Sequence, residues 1–248
     1  MNKTQISVKG SVAFVSGANR GIGKAIVEEF MAQDIKKVYA GARNISSLQA
    51  LKEKYGDRLV AVELDVTKDD TIKAASALAK DVNILINNAG VLLPDSFLNG
   101  NILDNITHHF NVNVFGLVKL THSFLPTIQA QNAGAIASVS SVAGLANMPM
   151  INSYSASKAA VHSLIQGLRG ELKDSAILVS GIYPGPIETD MTDGFEMDMD
   201  SPENVAKNVV NGIQEGVEDI FPDTMSAQIK VAYASSPKAI EEQFSNFK

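Results

Sequence analysis

Apolar residues along the chain fall into short runs, separated by stretches in which they recur every three or four positions. The runs place strands at Val12 to Ser16, Lys37 to Gly41, Leu59 to Leu64, Asn83 to Ile86, Gly134 to Ser140 and Ala176 to Tyr183, with a weaker one at Glu218 to Phe221. The intervening stretches carry helical spacing, as in Ile22, Ile26, Val27 and Phe30. Strands that alternate with helices are joined by right-handed crossovers. The pattern therefore predicts an α/β fold, a doubly wound parallel sheet of about seven strands with helices on both faces. Ligands of such sheets bind beyond the carboxyl ends of the strands, where the strand order reverses.

Composition narrows this picture. A chain of 248 residues sustains one sizeable core, and no composition break marks a linker, so residues 1–248 are read as a single domain. Ser123 to Ser157 carries no charged residue, but Pro126, Pro149 and frequent Ser, Asn and Gln fit a buried central strand better than a membrane span. The net charge of -6 disfavours nucleic acid and anionic membranes, which require a basic face. With no cysteine, disulfides, thiolate catalysis and cysteine metal sites are excluded. Met1 to Gly10 lacks an apolar core of signal-peptide length and is expected to be a short disordered lead-in to a cytoplasmic protein. His108 and His109 are adjacent and point to different sides of a helix, while His122 and His162 lack a partner at useful spacing, so no metal is assigned.

Two constellations carry chemistry. Ser16-Gly17-Ala18-Asn19-Arg20-Gly21-Ile22-Gly23 joins an apolar run to a helical pattern. Its glycines permit a tight turn and close approach of a pyrophosphate, whose charge is met by free N–H groups and the dipole at the helix start. Far along the chain, Tyr154 and Lys158 stand four residues apart and share one helix face. An ammonium beside a phenol favours phenolate, so Lys158 is expected to draw the Tyr154 pKa down from about 10 toward working pH. A phenol so tuned donates a proton efficiently to a substrate oxygen.

The spacing Gly-x-x-x-Gly-x-Gly, together with four further motifs in order, resembles the short-chain dehydrogenase/reductase family over nearly the whole chain. Those motifs are Asn87-Asn88-Ala89-Gly90, Asn113-Val114-Phe115-Gly116, Ser138-Val139-Ser140-Ser141 and Tyr183-Pro184-Gly185-Pro186-Ile187-Glu188-Thr189, around the Tyr154 and Lys158 pair. The resemblance implies a Rossmann-like sheet and a catalytic set of Asn113, Ser141, Tyr154 and Lys158. Ser141 would hydrogen-bond the substrate oxygen, with Ser140 as the fallback because neighbouring strand residues face opposite ways. Lys158 would also hold the nicotinamide ribose. Asn113 would fix a water that relays protons through Lys158, or else would be a buried asparagine that kinks its helix. Cofactor contacts are implied at Gly17, Asn19, Arg20, Gly21, Ile22, Gly23, Asn88, Ala89, Gly90, Tyr154, Lys158, Pro184, Gly185, Ile187 and Thr189. Asp65 and Val66 lie where the family contacts adenine, though Asp65 could also be a helix N-cap.

Charge argues for NADP(H). An acid at the end of the second strand would repel a 2'-phosphate, whereas here the strand ends in Ala42-Arg43. Arg43 is placed to fork onto the phosphate, and Arg20 could approach it from the other side. A lid near 187–203 is expected to close over substrate as a solvated, mobile segment. Its Met191, Phe195 and Met197, with Leu92, Leu93, Met148 and Met150, point to an apolar pocket for an uncharged ketone or aldehyde. An NAD-linked alcohol dehydrogenase and an NADP-binding sensor of the same fold are the alternatives. The C-terminal part lacks the family's usual glycine-rich tetramer strand, so a homodimer through the helices around Ile102 to Gln131 and Ser153 to Lys173, or a homotetramer, is expected.

Overall fold

Strands and helices alternate as the apolar pattern requires. The computed structural model describes residues 5–98, 101–131, 133–194 and 198–247. In chain order these form β1 (Val12–Ser16), α1 (Gly21–Ala32), β2 (Lys37–Ala42), α2 (Gln49–Tyr55), β3 (Leu59–Glu63), α3 (Asp69–Leu78) and β4 (Ile84–Asn87). Then follow α4 (Ile102–His109), α5 (Gly116–Gln129), β5 (Gly134–Val139), α6 (Asn152–Glu171) and β6 (Ile177–Ile182), and finally α7 (Pro202–Gln214), β7 (Asp219–Ile220), α8 (Thr224–Ser235) and α9 (Pro237–Phe244). All strand pairs are parallel, and the sheet order is β3-β2-β1-β4-β5-β6-β7. The chain winds outward from β1 to β3, then returns to start β4 on the other side of β1. That reversal opens a crevice between the carboxyl ends of β1 and β4.

Alternation along each strand splits the core into two layers. Ala13 and Val15 of β1, Ile84 and Ile86 of β4, and Ala135 and Ala137 of β5 face the cluster built with α1 and α7. Val12, Phe14, Leu85 and Ile136 face the opposite cluster, built with α3, α5 and α6. Both faces being covered explains why the strands read as continuous apolar runs. The uncharged stretch from Ser123 to Ser157 contains β5, whose six residues are all buried. Among the described residues no helix is long and apolar enough to cross a membrane.

One expectation changes. The lead-in is not disordered over its described part: Ile6 and Val8 are buried in the layer with α1, and Lys9 bridges to Ile35. After β7 the chain turns into α8 and α9, whose Ile229, Ile240 and Phe244 join a third apolar cluster with Met148, Ile151 and Tyr154. The lid is pinned at its base, where Ile187 bridges to Asp200 and Glu188 N–H donates to Asp200 O at 3.0 Å. Its Phe195, Glu196 and Met197 lie outside the described residues.

Because Ile6 is 3% exposed, Ile6→Ala should lower unfolding free energy by about 2 kcal/mol or more. Urea denaturation followed by circular dichroism checks this, and an unchanged midpoint would remove the segment from the core.

Candidate active site

The crevice at the β1 and β4 ends continues into a cavity of about 690 Å³, within the range of about 300–1,000 Å³ typical of small-molecule sites. Its floor is set by the Gly17 turn. Gly17 has φ +65°, and a Cβ on Gly23 would lie 2.2 Å from the Gly17 carbonyl oxygen, so the helix can close on the turn only without a side chain there. Ser16 clamps the turn to the β4 loop: its hydroxyl accepts from the N–H groups of Asn88 (3.0 Å) and Ala89 (3.1 Å), while Asn88 Nδ2 donates to Ser16 O (3.0 Å) and Gly17 O (3.1 Å). No side chain caps the start of α1. The first-turn amides are thus left for an anion, the arrangement a pyrophosphate requires.

Seventeen of the eighteen expected cofactor positions line this cavity; Gly23 is the exception, lying behind the Gly17 turn. Arg43 is exposed at the rim and makes no ion pair among the described residues. Arg20 does not stand free beside it. Arg20 Nη1 pairs with Asp190 Oδ2 at 2.9 Å across the mouth, a contact whose partners are 63% and 69% exposed, so it contributes about 1 kcal/mol or less. Asp65 is not a helix N-cap: Lys68 occupies that position before α3, and the Asp65 carboxylate accepts from Thr67 N–H and Oγ1. Burial pushes its carboxyl up, but the Thr67 bonds, with Lys68 and Arg43 nearby, hold it below the usual carboxylate range. These features fit a nicotinamide dinucleotide.

The reactive groups sit where β5 meets α6. Lys158 Nζ donates to Val139 O at 2.8 Å, and Ser140 Oγ donates to Lys158 O at 2.9 Å, which turns Ser140 away from the cavity chemistry. Ser141 lines the cavity, its hydroxyl accepting from Ala143 N–H at 3.1 Å and donating to Pro184 O at 3.4 Å. Tyr154 is 8% exposed and Lys158 4%. Burial pushes the phenol up to about 12, with the Ser141 hydroxyl alone opposing it, and pushes the ammonium down to about 8. The expected depression of the Tyr154 pKa by Lys158 is therefore absent. The ammonium lies 5.6 Å from the ring centroid, and removal from water costs both groups their charged forms.

Asn113 makes its side-chain contacts within the fold. It sits in a π-helical turn, Phe110–Phe115, between α4 and α5, and does not line the cavity. Its Oδ1 accepts from Val91 N–H (2.9 Å), and its Nδ2 donates to Val91 O (3.0 Å) and Ser157 Oγ (3.0 Å). Both amide donors are thus spent on holding the β4 loop against α6, and the π turn accompanies this buried asparagine.

The substrate end of the cavity is lined by Leu92, Val142, Met148, Met150, Met191 and Phe247, and Leu93 lies outside it. Two supporting residues were not legible as functional. Asp223 Oδ2 accepts from Gly185 N–H at 2.9 Å while Oδ1 accepts from Ser226 N–H at 2.8 Å, so the capping box of α8 also fixes the Pro184-Gly185 loop. Its Asp-x-x-Ser spacing was the available signal. His109 is fully buried beside Tyr154, and nothing in its sequence context separates it from exposed His108.

Comparison with known proteins agrees with this geometry. Residues 11–200 match the short chain dehydrogenase family. An uncharacterized oxidoreductase of Staphylococcus saprophyticus is 30% identical over 96% of each chain. A Staphylococcus aureus oxidoreductase, also uncharacterized, is 34% identical over 73% of this chain and 80% of its own length. Among solved structures, a short chain dehydrogenase from Burkholderia cenocepacia in complex with NADP superposes with TM-score 0.90 at 30% identity, covering 96% of this chain and 99% of that one. A relative from Burkholderia phymatum in complex with NAD shares the fold, with TM-score 0.82 at 23% identity over 98% of both chains. A sheet reversing at β1 and β4, a glycine cradle beneath an uncapped helix and a buried Tyr154–Lys158 pair place this chain in the short-chain dehydrogenase/reductase family.

Proposed function

We propose that the protein is an NADPH-dependent reductase of small or medium apolar ketones and aldehydes. The observation that carries this reading is a buried, protonated Tyr154 phenol at the junction between an apolar cavity and a dinucleotide cradle with a cationic rim. The α1 amides would hold the pyrophosphate, Arg43 the 2'-phosphate, and Lys158 the nicotinamide ribose. Bound there, NADPH supplies the hydride that forms the new C–H bond at the carbonyl carbon. Tyr154 gives its proton to the carbonyl oxygen, and the Ser141 hydroxyl donates to that oxygen while charge develops on it. A phenol held neutral by burial is in the protonation state that reduction needs at neutral pH.

The absence of a carboxylate at the end of β2 favours NADP(H) over NAD(H). Self-association through α5 and α6 is supported by Phe115, Val118 and Leu164, all at least 40% exposed on those helices or the π turn before them.

With an aldehyde and ketone panel, Tyr154→Phe should lower kcat by about 10²- to 10⁴-fold while NADPH still binds, read by nicotinamide fluorescence. Binding without turnover in the wild type would point instead to an NADP sensor. Arg43→Asp should raise KM for NADPH about 10-fold or more and improve use of NADH. Unaltered NADPH kinetics in that variant would remove Arg43 from the phosphate site.

A further inference from the structure

Behind Tyr154 lies a chain of buried polar groups that the reaction described above does not use. Leu93 N–H donates to His109 Nε2 at 2.9 Å, and His109 Nδ1 lies 2.6 Å from Ser153 Oγ. Ser153 Oγ in turn donates to Asp95 Oδ2, and Ser153 N–H donates to Asp95 Oδ1 at 3.1 Å. His109, Ser153 and Asp95 are 0%, 1% and 6% exposed.

The direction of every bond follows from the first. A backbone amide can only donate, so Nε2 must be the acceptor and Nδ1 must carry the ring proton. Ser153 Oγ then accepts from His109 and passes its own proton to the carboxylate. Donors and acceptors are matched from a backbone amide at one end to a charged acceptor at the other, which is the condition under which a buried polar network holds a single geometry. A protonated imidazole would set an N–H against the Leu93 N–H and break the chain at its start.

The network joins three parts of the site. Leu93 and Asp95 belong to the loop after β4, which supplies Leu92 to the substrate wall; His109 ends α4; Ser153 is the residue before Tyr154. The imidazole also packs edge-on against the Tyr154 ring, with centroids 5.9 Å apart and planes at 72°. We propose that His109 is a positioning residue for Tyr154, acting through Ser153 and Asp95 to hold the phenol and the substrate wall in one fixed relation. The proposal rests on the reductase reading for its kinetic consequence but not for its geometry. The titratable groups facing the ring are Asp95 from the loop, Tyr154 and Lys158 from α6, and His108 on its own helix. Burial, with His108 and Lys158, outweighs the attraction of Asp95 and holds the imidazole below the ordinary histidine range.

Two readouts test this in the full-length protein. Nitrogen NMR of cofactor-free protein should show His109 as the neutral Nδ1–H tautomer at neutral pH, with its midpoint below the ordinary ~6.5; a midpoint at or above ~6.5 would overturn the proposal whether or not the protein has turnover. Kinetically, His109→Phe keeps a ring but removes both bonds, and should lower kcat about 10- to 100-fold with NADPH affinity unchanged. His109→Gln, which can accept from one side and donate to the other, should recover part of that loss. Should His109→Phe not fold, Ser153→Ala cuts the same chain and Ser153→Thr restores its hydroxyl. Wild-type kcat in His109→Phe or in Ser153→Ala would reduce the network to a structural role and overturn the proposal.

Discussion

Everything at the site depends on how Lys158 is kept out of water. Its ammonium donates to Val139 O and its own carbonyl accepts from Ser140 Oγ, so one residue is fastened to the end of β5 from two directions. Those two bonds seat the first half of α6 on the sheet and thereby place Tyr154, one turn earlier, over the cavity. The burial that makes this seating firm also destabilises charge on both side chains.

Sequence carried most of the fold because parallel strands buried on both faces leave an unmistakable record of continuous apolar runs. Even the two-residue strand Asp219–Ile220 fell inside a segment marked by its apolar pair Ile220 and Phe221. The glycine turn was equally legible, since only glycine tolerates the geometry at Gly17 and Gly23. What the pattern could not convey was depth. Ile6 and Val8 are two apolar residues at a spacing of two, too short a record to separate a buried segment from a loose one. The Tyr154 pKa was misjudged for a related reason: helical spacing gives proximity to Lys158, but not the loss of solvent that dominates both groups. Asn113 and His109 depended on tertiary partners, Val91 and Ser157 for one, Leu93 and Ser153 for the other, and no local spacing announces such pairs.

In the C-terminal region α8 and α9 bring Ile229, Ile240 and Phe244 against Met148, Ile151 and Tyr154, and Phe247 reaches the cavity wall. Asp223, at the start of α8, ties the same region to the Gly185 loop. The substrate wall and the cofactor loop are thus braced by one element, so changes in the C-terminal helices should be felt in both. Methionines at Met148, Met150 and Met191 leave that wall adaptable in shape while excluding charge.

The central claim is that burial, rather than a preformed ion pair, sets the protonation states of Tyr154 and Lys158. It is tested most directly by carbon NMR of Cε-labelled lysines in the cofactor-free protein, titrated through alkaline pH, with Lys158→Met to assign the signal. The account predicts one lysine losing its proton near pH 8, where Lys158 is placed by desolvation, while exposed lysines remain charged until about 10.4. If the Lys158 signal moved together with the exposed lysines, the ammonium would be solvated or paired, and the account of the site would be wrong.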